Sequence, residues 1–281
     1  MKKFKSYTTP YLIWTLILTG IPMIMMVFFS FSNIESFSVY TFKFSEYQFT
    51  FQNFQSLVES AFLKAFGRSM LYAFIATILC ILIGYPIAFI ISRLRFKHKY
   101  LLLLIFIMPM WTNMLLRIQT INNLLSENSL LSNLFHISIN LTNHKSLKII
   151  LVMTIVYLPF MILPIYTVLE KIEYSYVEAS YDLGASPIKS FFKITFPLSL
   201  KGVISGVMMV FLPAAMGFTI PQIVTNGDPK YKMVGQLIES RFKSSHPFFN
   251  IGSIWSLIIV IFVLGSLYVL SRIDEEGETL L

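Results

Sequence analysis

The sequence predicts an all-α membrane protein of six transmembrane helices. Apolar residues make up 56% of the 281-residue chain and charged residues only 13%, where a soluble chain carries about a quarter charged residues. Six runs are free of Asp, Glu, Lys and Arg, and all but one approach or exceed the roughly 20 residues that cross the hydrocarbon as a helix. The runs are continuous rather than alternating, which excludes a β-barrel.

The first run, Tyr11–Phe31, follows Lys2-Lys3-Phe4-Lys5. It is long for a signal-peptide core and no small-residue cleavage site follows Phe28-Phe29-Ser30-Phe31, so it is expected to remain as an uncleaved span. The second, Ser69–Ser92, contains the single cysteine, Cys80, which has no partner for an internal disulfide. The third, Tyr100–Leu116, is the shortest and ends at Arg117. The fourth, fifth and sixth are Ile149–Leu169, Gly202–Val224 and Phe248–Ser271.

Orientation follows from the basic residues. The loop from Arg93 to Lys99 is the shortest between spans and the most basic, which places it, and with six spans both termini, on the cytoplasmic side. The formal net charge of +8 then anchors the chain to anionic head groups rather than to nucleic acid, since no foldable soluble domain carries a basic patch.

Catalysis has no home in this chain. The polar stretches 32–68, 117–148, 170–201 and 225–247 are too short for a domain, and no phosphate-binding GxxxxGK[ST] loop or two-histidine metal helix occurs. The histidines His98, His136, His144 and His246 are scattered through loops and their flanks. None of the runs holds a carboxylate or lysine, whereas ion-coupled carriers keep ionisable groups within the membrane. The energy for any transport is therefore expected from another chain.

Residues 170–201 lie between spans four and five. Ser175-Tyr176-Val177-Glu178 has the form of a capping box, with Ser175 capping a helix that runs to about Leu183. Gly184 supplies the left-handed residue that ends it. Ser186-Pro187 starts a second helix, and Pro197 is expected to stop that one before span five. Phe191, Phe192, Ile194 and Phe196 are too apolar for a solvated loop, so some of them are expected to bury. The segment reads as a stiff two-helix bracket.

This segment resembles the EAA loop of type-1 ABC-importer permeases. That pattern runs E-A-A, three residues, G, nine residues, I-x-L-P; here Glu178-Ala179-Ser180, Gly184 and Ile194-Thr195-Phe196-Pro197 keep the spacing, with Ser180 in place of the second Ala and Phe196 in place of Leu. The resemblance implies a type-1 permease fold whose short cytoplasmic coupling helix seats in a groove of an ATP-binding subunit, with Glu178 and Gly184 as docking positions. It implies a non-catalytic core over 65–272, preceded by a tail, first span and outer loop over 1–64 and followed by a tail over 273–281. The chain is also similar to the first permease of spermidine/putrescine importers, through Gly84-Tyr85-Pro86-Ile87-Ala88, Met108-Pro109-Met110-Trp111-Thr112-Asn113, Tyr157-Leu158-Pro159-Phe160-Met161 and Leu212-Pro213-Ala214-Ala215-Met216-Gly217. That likeness implies a bacterial plasma membrane location, a homologous second permease, two ATP-binding subunits that hold ATP and magnesium, and a polyamine-binding protein outside. No cofactor is expected on this chain.

A path for a flexible multi-cation needs aromatic faces and carbonyls rather than strong anions. Trp111, Asn113, Tyr157, Met216 and Phe218 are the candidates for its lining, although most aromatics in such a chain pack or face lipid. Pro109, Pro159, Pro164 and Pro213 are expected to break helices and free carbonyls. Arg117 is expected at the outer interface, snorkelling or pairing with an acid of the binding protein. Asn226-Gly227-Asp228-Pro229 reads as a turn in an outer platform. A sulfate or sugar importer and a self-powered carrier are the competing readings.

Overall fold

A computed structural model describes residues 2–34, 47–94, 99–126, 141, 143–243 and 248–278. Arg95, Phe96, Lys97, His98, His136 and His246 lie outside the described residues, as do the side chains of Lys2, Lys3, Lys5 and Arg272. Regular structure among the described residues is helical apart from one isolated antiparallel bridge between Ser32 and Phe49.

The helices are α1 (Lys2–Ser30), α2 (Ser60–Arg93), α3 (Lys99–Ile107), α4 (Met114–Leu124), α5 (Lys145–Lys171), α6 (Tyr174–Asp182), α7 (Pro187–Ser190), α8 (Phe196–Met216), α9 (Thr219–Thr225), α10 (Val234–Lys243) and α11 (Phe249–Glu278). Five helical stretches are long and apolar enough to cross a membrane: Pro10–Ser30, Ser60–Arg93, Lys145–Lys171, Pro187–Met216 and Phe249–Val269. The broken pair Lys99–Trp111 and Met114–Leu124, bent by 102°, makes a sixth when counted as one span. Exposed apolar side chains such as Leu12, Trp14 and Leu16 on α1 suit a lipid surround.

Three expectations about the spans are corrected. The third run is not one straight helix, because Pro109 opens a 3-10 turn, Met108–Trp111, and the chain turns at Thr112-Asn113. The fifth begins earlier and ends at Met216, with α9 a separate short helix. Pro159 and Pro164 lie within an unbroken α5, whose packing against other helices compensates for the missing N–H groups.

The chain divides into two compact units. The first comprises 1–64 and 237–265. At its centre the Trp255 indole is fully buried, stacks on Phe62 at 5.2 Å and donates to Ser56 Oγ at 3.1 Å. Beside it the Asn53 amide donates to the carbonyls of Ser30 and Ser32 and accepts from Asn250. These bonds satisfy the Ser30 carbonyl at the end of α1 and the Ser32 carbonyl just beyond it.

The second unit comprises 65–236 and 266–281, and α5 is its axis. Val152, Val156, Met161, Ile162, Ile165 and Leu169 are wholly buried there. The helix α8 packs along α5 through Gly202 and Gly206, which face Pro164, Ile165 and Met161. Small residues at such a crossing bring the two backbones close, so dispersion contacts replace the hydrophobic drive that lipid removes.

Candidate coupling bracket and broken span

The bracket begins where α5 ends at Lys171 and Ile172 turns into extended backbone. Glu173 is the N-cap of α6, and no side chain caps that helix. The expected capping box is therefore absent. The helix starts earlier than the S-x-x-E motif suggests, so Ser175 already lies in its first turn and its hydroxyl donates to the Glu173 carboxylate at 3.2 Å. The C-terminus matches the sequence. Gly184 has φ +77°, its N–H donates to Tyr181 O at 2.8 Å, and Ala185 N–H donates to Ser180 O at 2.9 Å. That pair of bonds is a Schellman ending, which an L side chain at Gly184 would strain.

The second arm starts as expected, with Ser186 accepting from Lys189 N–H and Pro187 in the first turn. It does not stop at Pro197. A π turn over Phe191–Thr195 joins α7 to α8, and Phe196 N–H reaches back to Phe191 O. Proline clashes with the carbonyl four residues back, and a widened turn just before it moves that carbonyl aside. The chain is consequently helical from Pro187 to Met216, a path of 30 residues.

The two arms are clasped from within. Ser180 Oγ lies 2.7 Å from both Val177 O and Ser190 Oγ, and both serines are buried. Val177 and Ser180 form the inward face of α6, whereas Glu178, Ala179 and Asp182 are exposed. On the second arm Phe191 packs edge-on against Tyr85 and Phe89, at 5.8 and 5.4 Å. Phe192 is exposed, and Ile194 is half-buried. Pro197 is exposed at the start of α8. Sequence reasoning missed the clasp, since Ser180 stood there as a mild departure from the family pattern.

The remaining candidates fall in two places. Tyr157 is buried, and its hydroxyl lies 3.4 Å from Pro213 O near the end of α8. Met216 and the half-exposed Phe218 flank Gly217, where an added Cβ would meet the Tyr157 hydroxyl at 3.5 Å. The structure thus gathers Tyr157, Met216 and Phe218 around Gly217. Trp111 and Asn113 lie at the break between α3 and α4. Trp111 is exposed, and the Asn113 side chain caps α4 by accepting from Leu115 and Leu116 N–H at 2.9 and 3.4 Å.

Within this chain Arg117 is engaged at the bend. Its Nη1 donates to Pro109 O across the bend, and Thr112 Oγ1 donates to the same carbonyl at 2.7 Å. A cavity of about 530 Å³ opens beside this latch, lined by Met108, Leu116, Thr120 and Ile121 among others. Of the four prolines, only Pro109 lies at a helix break, where its carbonyl is taken by Thr112 and Arg117; Pro213 O accepts from Gly217 N–H at 2.8 Å as α8 ends. In the segment after α9 Asn226 and Gly227 take φ values of 54° and 75°, the expected turn. Asp228 pairs with Lys145 at 2.8 Å.

A family model for the inner membrane components of binding-protein-dependent transport systems matches residues 80–272. The spermidine/putrescine transport system permease protein PotB of Haemophilus influenzae is 32% identical over 273 residues, covering 93% of each chain. PotB of Escherichia coli is 31% identical over 234 residues, covering 82% of each. Among solved structures, a bacterial ABC transporter involved in import of the acidic polysaccharide alginate aligns with a TM-score of 0.69 at 16% identity, over 96% of this chain and 95% of that one. The inward-facing MetNI methionine ABC transporter aligns with a TM-score of 0.57 at 15% identity, over 76% and 95%. Likeness at such identity shows the fold.

Proposed function

The chain belongs to the family of binding-protein-dependent transport system inner membrane components, and from that premise we propose that it is the membrane-spanning permease subunit of an ATP-driven polyamine importer. The observation that carries this reading is the 32% identity to a spermidine/putrescine permease along 93% of both chains. The absence of carboxylates and lysines from the six apolar runs supports a subunit powered from outside itself.

In this reading two ATP-binding subunits hold ATP and magnesium, a homologous second permease completes the path, and a binding protein outside delivers the polyamine. Both termini and the bracket face the cytoplasm. Glu178 and Ala179 present the exposed face of α6 to the ATP-binding subunit, with Gly184 setting the bend that aims it. Ile194 and Pro197 lie on the turn that feeds α8.

The geometry suggests how displacement would travel. The second arm and α8 form one helical path from Pro187 to Met216, about 45 Å long at 1.5 Å per residue. Its far end is the cluster of Tyr157, Met216 and Phe218. A push on the bracket would therefore shift backbone carbonyls and aromatic faces at that cluster, groups suited to an ammonium chain. Trp111 and Asn113 at the α3–α4 break are the second part of the proposed path.

The test is uptake of labelled spermidine by the importer reconstituted with and without its ATP-binding partner. Uptake that requires both the partner and ATP is expected. Uptake that persists without the partner, or transport of sulfate or a sugar with no polyamine uptake, would overturn the reading.

A further inference from the structure

Arg93 has a cavity beside it and no acid paired with it among the described residues. Arg93 is the last residue of α2, and its guanidinium lies 5.8 Å from the Phe89 ring and 5.7 Å from the Tyr174 ring. Its Nη2 is buried without a hydrogen-bond partner among the described residues. Arg93 lines a cavity of about 610 Å³ between the end of α2 and the inner side of the bracket, whose other walls include Ser92, Tyr181, Ser190, Phe191 and Thr195. The acids that precede Tyr174 in the chain are engaged, Glu170 with Lys99 at 2.8 Å and Glu173 with Ser175.

A buried guanidinium nitrogen left unbonded is costly, so the site is built for something that accepts. The planar fork fits a phosphate, whose oxygens take two parallel N–H bonds. Arg93 also closes a 34-residue membrane helix, which puts it at the hydrocarbon boundary where lipid phosphates lie. The walls combine hydroxyls with aromatic rings, a lining for a polar head that continues into a hydrocarbon stem. We infer that this cavity binds the phosphate of an anionic phospholipid, with Arg93 as its anchor and the lipid wedged between α2 and the bracket. The lipid would then brace the inner side of the bracket while its exposed face remains free.

The experiment uses the full-length chain in phosphatidylcholine nanodiscs doped with photoactivatable phosphatidylglycerol, and maps the labelled peptides. Labelling of residues 87–94 and 187–195 is expected. Arg93→Gln should lower it about tenfold, the loss of one charge-assisted bond. Ser92→Phe, which fills the cavity and keeps the cation, should lower it too and decides the matter where Arg93→Gln fails to fold. Excess inorganic phosphate should leave the labelling unchanged. Equal labelling of wild type and both variants would overturn the assignment. Loss of labelling to free phosphate would overturn it in favour of a soluble anion, and replacement of the lipid on adding the ATP-binding partner would overturn it in favour of an acidic side chain of that partner.

Discussion

Ser180 Oγ lies 2.7 Å from Ser190 Oγ, so two buried hydroxyls tie the arms of the bracket together across the Gly184 turn. Each hydroxyl has one proton, and Val177 O, at 2.7 Å from Ser180 Oγ, supplies a second acceptor. Stiffness in this segment is thus more than a matter of caps. A bracket with a clasp moves as one body, and a bracket without it hinges at Leu183-Gly184.

The clasp predicts non-additive mutations. Ser180→Ala should destabilise the segment by about 1 kcal/mol, because it leaves the buried Ser190 hydroxyl without the clasp, and Ser190→Ala should cost no more, because Ser180 keeps Val177 O. The double variant should cost little more than either single one, giving an interaction energy of about 0.5–1 kcal/mol. Thermal unfolding of the four proteins in one detergent measures the cycle. Strict additivity would mean the two hydroxyls do not act as a pair.

Exposed and buried faces of α6 should separate coupling from stability. Glu178 is exposed on α6, so Glu178→Lys is expected to leave the unfolding temperature unchanged and to abolish ATP-dependent uptake in the reconstituted importer. Gly184→Ala meets no atom within 4 Å, yet it places a side chain at φ +77°. Its cost should be about 1–2 kcal/mol of backbone strain, with Gly184→Asn cheaper. Normal uptake by Glu178→Lys would remove α6 from the coupling role.

Three glycines of the second unit should rank by what an added Cβ meets. At Gly235 it would overlap Met216 O, at Gly202 it would lie 2.8 Å from Pro164 O, and at Gly206 2.6 Å from Met161 Sδ. A thioether end swings aside, whereas a backbone carbonyl does not without moving its helix. Gly206→Ala should cost about 1 kcal/mol and Gly202→Ala about 2–3 kcal/mol, with Gly235→Ala the most damaging of the three. Melting temperatures of the three variants check the order.

Much of this was legible in the sequence, for reasons that differ by element. Gly184 and Ser186-Pro187 were readable because their signals are local: a positive φ and a capped first turn depend on residues two or three away. The Ser180–Ser190 clasp was not, since it depends on how the whole turn brings residues ten apart together. Hydropathy found the third apolar run and could not see its 102° bend, because a count of apolar residues carries no direction. Proline alone misled at Pro159, Pro164 and Pro197, where neighbouring helices or a π turn absorb the missing N–H. Tyr157, Met216 and Phe218 were named for their chemistry, and only the fold shows that they surround Gly217, while Trp111 and Asn113 sit at the α3–α4 break.

The Lys145–Asp228 pair predicts a pH response confined to acid. Lys145 and then the Lys230 backbone N–H hold the Asp228 carboxyl below its usual range. A depressed carboxylate stabilises the fold above its unfolded pKa, and that contribution is lost as pH falls through the lower folded value. Order in the 226–231 turn should therefore be constant through neutrality and decline only below about pH 4, the ordinary aspartate range. Lys145→Ala should shift that decline toward higher pH. Hydrogen exchange of the turn amides against pH measures it, and a decline already present near pH 6 would point to another group.

Arg117 ties the two sides of the α3–α4 bend together. Its Nη1 bonds Pro109 O while Asn113 caps α4 and Thr112 Oγ1 shares the same carbonyl, so three side chains hold a turn that no continuous helix could make. The Arg117 Nε is buried without a partner among the described residues, a sign that the side chain is held for the Nη1 bond rather than for its full set of donors. Arg117→Met keeps the apolar stem along the cavity and removes the donor. It should cost about 1.5–3 kcal/mol, the range for a hydrogen bond to a charged group. Arg117→Lys, a point charge without the fork, should recover part of that loss. Distances between spin labels on α3 and α4 check the geometry: a broader distribution is expected in Arg117→Met than in wild type. An unchanged distribution together with unchanged stability would show that Pro109 and Asn113 set the bend without the arginine.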